Sequence, residues 1–193
     1  MKRSISATGP RTCSDGTHAV GRAALQRLIE QAFGQRVALA PGAAYGGAKR
    51  WPPQYFAELA NDLAADGLRS VMIGGAADAQ AAADVRRGAA LLDLVGRTDL
   101  PTLAGVLAQC RTLVTNDSGA MHLAAAAGVA VTAVFGPTRD RETRPLGDRH
   151  AVLTSPVWCR PCMLRECPLD HRCLRSIAPS TVAASARRTL RTS

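Results

Sequence analysis

The sequence predicts an α/β protein: a parallel sheet covered by helices on both faces. Three observations predict it. Short apolar runs recur along the chain, as in VALA at 37–40, TLVT at 112–115 and VAVTAVF at 129–135. These runs are continuous rather than alternating, as expected for strands buried on both sides. Between them lie longer segments with apolar residues at helical spacing, and this alternation implies right-handed crossovers between parallel strands.

Each element has its own signal. Residues 1–17 carry Ser, Thr, Gly and Pro without an apolar period, so residues 1–20 are expected to form a disordered leader. From Ala19 to Phe33, the residues Val20, Ala24, Leu25, Leu28, Ile29 and Phe33 mark a helix that Gly34 stops. VALAP at 37–41 is the first strand, followed by a glycine-rich turn. Pro53–Asp66 is a helix carrying Phe56, Leu59, Ala60 and Leu63 on one face, with Gly67 as its stop. SVMIGG at 70–75 is the second strand, Ala76–Ala90 an alanine-rich helix and LLDLVG at 91–96 a third, short strand. A helix over about 99–110 leads to the fourth strand, TLVTND at 112–117. Ser118–Ala127 is a helix of small residues, and VAVTAVFG at 129–136 is the fifth strand. AVLT at 151–154 is a sixth strand, 158–173 a cysteine-rich loop and Pro179–Leu190 the closing helix.

Composition bounds the function. Of 193 residues, 47% are hydrophobic and 20% charged. That excludes a mainly disordered chain, a collagen-like repeat and a disulfide-dense mini-protein. The length suits one domain, residues 21–193, with a short extension. No apolar run is long enough for a membrane span, and the basic N-terminus lacks an apolar signal core, so the cytoplasm is the expected compartment. The chain carries 24 Lys+Arg against 15 Asp+Glu, a formal charge of +9. Every cation except Lys2 and Lys49 is arginine. Such a balance points to an anionic partner: nucleic acid, a phosphorylated substrate or an acidic membrane surface. Aromatic residues are only 4%, which argues against a base-stacking binder of single strands.

In parallel α/β sheets, ligands bind beyond the carboxyl ends of the strands. Two segments there carry suitable chemistry. Pro41–Pro52, PGAAYGGAKRWP, follows the first strand; its glycines admit close backbone approach to a phosphate, and Lys49 and Arg50 add charge. It matches neither a Walker loop nor a GxGxxG loop. Thr115–His122, TNDSGAMH, joins the fourth strand to a helix. Asp117 or Ser118 suits the cap of that helix, and the helix start equally suits a diphosphate. Gly136-Pro137-Thr138 ends the fifth strand at the same edge. A third cluster is Cys159, Cys162, Cys167 and Cys173, with His171 as an alternative ligand; this spacing fits a tetrahedral zinc or iron site and equally fits reduced thiols or a redox pair. Cys13 and Cys110 stand apart, and Cys110 reads as a core residue.

PGAAYGGAKRWP, TNDSGAMHLAAAAGVAVTAVFGPT and CRPCMLRECPLDHRCL together resemble the ADP-heptose:lipopolysaccharide heptosyltransferases of glycosyltransferase family nine, most like the heptosyltransferase II type. The resemblance covers about residues 21–191. It implies the GT-B fold of two Rossmann-like halves, with this chain as the C-terminal, donor-binding half. It also implies ADP-L-glycero-D-manno-heptose as donor, lipid A-Kdo as acceptor and no cofactor for transfer. Lys49 would meet the donor phosphates, and Asp117, Ser118, Gly119 and His122 would hold the diphosphate and sugar. Gly42, Ala43 and Ala44 would give close backbone approach, and Met121 would line the nucleotide side. Since Asp117 repels phosphate, its expected part is with sugar hydroxyls or in orienting His122. The family's catalytic aspartate belongs to an N-terminal acceptor half that residues 1–20 do not match, so no residue here inherits that role. Because the acceptor is a lipid, attachment at the inner face of the inner membrane is a further expectation, and nucleic acid is not an expected partner. The alternatives are a catalytically silent donor-domain fragment and a basic metal- or nucleic-acid-binding module. The latter gives no reason for both motifs to follow strands.

Overall fold

The computed structural model describes residues 36–191. The expected leader, the helix at 19–33 and Cys13 lie outside the described residues. Six strands form one sheet: β1 Arg36–Ala40, β2 Arg69–Met72, β3 Leu92–Asp93, β4 Thr112–Asn116, β5 Ala130–Phe135 and β6 Ala151–Thr154. All neighbours pair in parallel, in the order β3-β2-β1-β4-β5-β6. The three central strands β1, β4 and β5 are buried at every position, which is why their sequences run apolar without alternation.

The helices are α1 Pro53–Ala65, α2 Ala79–Arg86, α3 Leu100–Ala108, α4 Gly119–Ala126, α5 Asp140–Thr143, α6 Arg172–Arg175 and α7 Pro179–Arg191. Helix α1 starts on Pro53, whose missing amide hydrogen costs nothing in a first turn. Its buried residues Phe56, Leu59, Ala60 and Leu63 form the i, i+3, i+4, i+7 stripe that faces the sheet. That stripe packs with Val37, Leu39, Trp51, Val114, Val134 and, from α7, Val182, Ala183 and Ala186 into the main core. Each fully buried side chain of this size stabilises the fold by about 1.5–3 kcal/mol. Helix α4 packs on β4 and β5 and meets α3. Gly67 ends α1 at φ +75°, a left-handed conformation that a side chain would resist.

The expected helix at 76–90 is divided. One 3₁₀ turn spans Ala76–Asp78, and α2 begins only at Ala79. The cause is Asp78, whose carboxylate turns back to accept from the Gly75 amide at 2.9 Å. The short helices α5 and α6 had no signal in the periodicity, since four residues are too few to show one.

Candidate functional site

A sheet of this order has its switch point between β1 and β4, where the following loops leave in opposite directions and open a crevice. Asn116, fully buried at the end of β4, joins the two loops. Its Nδ2 donates to the Pro41 carbonyl at 2.8 Å and the Gly42 carbonyl at 3.2 Å, while its Oδ1 accepts from the Trp51 amide at 3.0 Å. The glycine-rich segment after β1 is thus held at both ends by one side chain. Trp51 is itself anchored, its indole N–H donating to the Ile177 carbonyl at 2.9 Å.

Between these anchors the chain delivers Lys49 to the end of β4. Lys49 Nζ lies 2.6 Å from Asp117 Oδ2, with the two side chains only 12% and 6% exposed. The same oxygen accepts from Thr138 Oγ1 at 2.7 Å, so the loop after β5 joins the cluster. The Lys49 ammonium also stands 4.6 Å from the centre of the Tyr45 ring. Ion pair, hydroxyl and ring fix one cation at the carboxyl edge of the sheet. An ammonium has three donors, and Asp117 takes one.

Helix α4 begins beside this cluster. Ser118 occupies its N-cap position, but among the described residues no side chain caps the helix. The Ser118 hydroxyl lies instead 3.1 Å from Thr115 Oγ1. The first amides of α4 therefore keep the partial positive charge of a helix start at an exposed surface, since Gly119 has open space where a Cβ would stand. The loops at 41–51 and 117–119 meet through the Lys49–Asp117 pair, beside the hydrogen bonds of Asn116. Arg50, next to Lys49, has a buried Nε with no hydrogen-bond partner among the described residues.

The remaining expected site residues fall as follows. Ala44, Gly119 and His122 are exposed, and Ser118 is half-buried. Asp117 is committed to Lys49 and Thr138 rather than to His122. Met121 is completely buried, in the packing beneath α4. Ala43 is also buried. At Gly42 the close approach is to protein, because a Cβ there would fall 2.1 Å from the Asp78 carboxyl.

The cysteine-rich loop packs against the same region. Arg160 fastens its start, Nε donating to the Gly136 carbonyl at 2.8 Å and Nη2 to Asp140 Oδ1 at 2.7 Å. The Arg160 hydrogen bond holds the Asp140 carboxyl below the usual aspartate range. Cys159, Cys162, Cys167 and Cys173 line one small cavity together with Ala48, Pro137 and Arg160. Burial, and then the neighbouring thiols Cys159, Cys167 and Cys162, push the Cys173 thiol up. His171 does not line that cavity; it sits in the left-handed region at φ 55°, just before α6. Four soft donors around one cavity are the right kind for zinc or iron. Among the described residues, though, no three His, Cys, Asp or Glu side chains are gathered tightly enough to enclose an ion, and all four thiols are free.

Sequence reasoning missed Asn116 and Glu166 as individual positions; Glu166 Oε1 accepts from the Gly47 amide at 2.9 Å. Asn116 had a signal in retrospect, a polar amide ending a fully buried strand. No helix among the described residues is long and apolar enough to cross a membrane.

Comparison with known proteins agrees with this architecture. Residues 16–172 match the family model described as glycosyltransferase family 9 (heptosyltransferase). The chain is 33% identical over 162 residues to lipooligosaccharide heptosyltransferase 2 of Campylobacter jejuni, covering 80% of this chain and 51% of that protein. It is 37% identical over 123 residues to lipopolysaccharide heptosyltransferase 2 of Escherichia coli, covering 61% and 35%. Among solved structures, the E. coli ADP-heptose lipopolysaccharide heptosyltransferase II superposes with a TM-score of 0.74 at 27% identity, over 94% of this chain and 53% of that one. The chain thus spans about half the length of the Campylobacter jejuni protein and of the solved E. coli chain. With its Rossmann-like sheet and both long motifs inside the matched span, the chain belongs to glycosyltransferase family 9, the heptosyltransferase family.

Proposed function

We propose that this chain is the donor-binding half of a heptosyltransferase, taking ADP-L-glycero-D-manno-heptose for transfer to the inner core of lipopolysaccharide. The observation that carries the reading is the convergence of Lys49, Asp117 and the uncapped start of α4 at the switch point of the sheet. The E. coli structure it resembles is named for ADP-heptose, which supports this choice of donor. In the reaction, an acceptor hydroxyl attacks the anomeric carbon of the heptose. The bond to the diphosphate oxygen breaks, and negative charge grows on departing ADP. Lys49 and the α4 amides stand where that charge develops, and such preorganised groups stabilise a leaving group without moving. Asp117 orients Lys49, and Thr138 orients Asp117. The base that takes the acceptor proton comes from an N-terminal half, and the lipid A-Kdo acceptor is met there, at the inner face of the membrane.

The four thiolates of Cys159, Cys162, Cys167 and Cys173 are the proposed ligands of a structural zinc or iron ion; its contribution would be to cross-link the loop, apart from the transfer chemistry. Calorimetric titration with ADP tests the donor reading. Lys49→Ala removes a charged contact to phosphate and is expected to weaken ADP binding by about tenfold or more. Equal affinity in the wild-type and Lys49→Ala chains would remove Lys49 from the site.

A further inference from the structure

The cysteine-rich loop brings a second cation to the glycine-rich segment. Arg165 is exposed, and its guanidinium lies 5.1 Å from the centre of the Tyr45 ring. The Lys49 ammonium stands 4.6 Å from the same centre. One aromatic ring of the segment thus carries two cations, each within contact range.

The two differ in what they have left to give. Lys49 is nearly buried and is already paired with Asp117. Among the described residues, the Arg165 guanidinium meets no carboxylate and no hydrogen-bond acceptor. The carboxylate beside it in sequence, Glu166, is engaged elsewhere, Oε1 accepting from the Gly47 amide. All the N–H donors of Arg165 therefore remain open, in the planar fork that suits phosphate oxygens.

The backbone fixes where this side chain starts. The Ala48 amide donates to the Arg165 carbonyl at 2.9 Å, and the Met163 amide to the Pro137 carbonyl at 3.0 Å. The Tyr45 hydroxyl donates to the Met163 carbonyl at 3.0 Å, so the ring is held at its far end as well. The approach needs glycine at position 46, where φ is +152° and a Cβ would fall 2.3 Å from the Arg165 carbonyl oxygen. A guanidinium stacked on a fixed ring keeps its edge free for a ligand and loses little freedom on binding one. Two like charges on one ring also repel each other, and Asp117 compensates Lys49 alone. A diphosphate relieves that repulsion, because its charge is spread over two phosphoryl groups and reaches both cations.

We propose that Arg165 is a second anion-binding residue of the donor site, gripping the diphosphate from the solvent side while Lys49 holds it from the sheet side. This rests on the donor reading above and adds to it a residue from a different loop. No bond is made or broken at Arg165. It shares with Lys49 the charge that grows on departing ADP.

The test titrates ADP by calorimetry into the full chain and into Arg165→Ala and Lys49→Ala, at about 0.1 M and about 1 M salt. Arg165→Ala keeps the backbone carbonyl that Ala48 uses, so its thermal midpoint should match that of wild type. ADP binding in Arg165→Ala is expected to be about tenfold weaker at the lower salt, the loss shrinking to threefold or less at the higher salt, where exposed charges are screened. Arg165→Lys keeps the charge without the fork and is expected to recover part of the loss. Unchanged ADP affinity in Arg165→Ala, with weakened binding in Lys49→Ala, overturns the role of Arg165 and leaves the donor reading standing. A loss equally large at both salts overturns the charge contact, since a merely structural effect is not screened. Absence of ADP binding by the wild-type chain overturns the donor reading and Arg165 with it.

Discussion

Replacing Asn116 by alanine is the sharpest perturbation of the site's frame. The side chain is completely buried and makes three hydrogen bonds, to the Pro41 and Gly42 carbonyls and from the Trp51 amide. Removing it leaves those backbone groups without a partner in the interior. A buried group so orphaned costs about 1–3 kcal/mol. The Gly42 contact is long, so the Pro41 and Trp51 groups dominate, and Asn116→Ala is expected to lose about 3–4 kcal/mol. A domain is stable by only about 5–15 kcal/mol, so the variant folds but with a visibly lower midpoint. Urea unfolding followed by tryptophan fluorescence reads it, with buried Trp51 as a native-state reporter. Asn116→Asp sharpens the test. Its carboxylate still accepts from Trp51 but sets negative charge against two carbonyl oxygens, so at neutral pH it is expected to be worse than alanine. A loss under about 1 kcal/mol in Asn116→Ala, with an unchanged denaturant slope, refutes the idea that this amide holds the two loops together. An aspartate variant milder than alanine refutes the weight given to the carbonyl contacts.

Three further outcomes follow from the geometry. Gly46→Ala forces a Cβ against the Arg165 carbonyl at an unfavourable φ and is expected to destabilise the fold by about 2 kcal/mol, read by thermal unfolding. Burial pushes the Cys110 thiol up to about 11, so in the native chain at pH 8 a thiol reagent should modify exposed Cys162 well before Cys110, as peptide mapping would show. The Asp140 carboxyl is held low by Arg160, so its stabilisation is present above the ordinary aspartate range and is lost as pH falls through the depressed folded value. Asp140→Asn should therefore be less stable than wild type at pH 6 and equal to it at pH 2, and a gap that persists at pH 2 would show that the Arg160 pair is not its source.

The fold was largely legible because five of the six strands are apolar runs ending in glycine or a polar turn. The end of β5 at Phe135, just before Gly136, is the clearest case. The two segments that carry Lys49 and Asp117 were legible for the same reason, since they follow β1 and β4 directly. What joins them was not. Asn116 reaches Pro41 and Trp51 across 75 and 65 positions, and Glu166 reaches Gly47 across 119. No local pattern encodes such pairs, because they arise from strand order and loop packing. The late start of the helix expected at 76–90 has a local cause, the Asp78 side chain, that alanine richness concealed. The burial of Met121 follows from its place on the inward face of α4, which the motif alone does not show.

Because Asp117 already neutralises Lys49, the pair has almost no net charge seen from a distance. On the donor reading proposed above, an approaching anion would be drawn by the start of α4 and would meet Lys49 only on arrival, taking a donor that Asp117 leaves open. On departure Asp117 would still pair with the ammonium, so no bare charge would be left at a poorly solvated place. The pair would then discriminate at contact, while recruitment over longer range would fall to the rest of the basic chain.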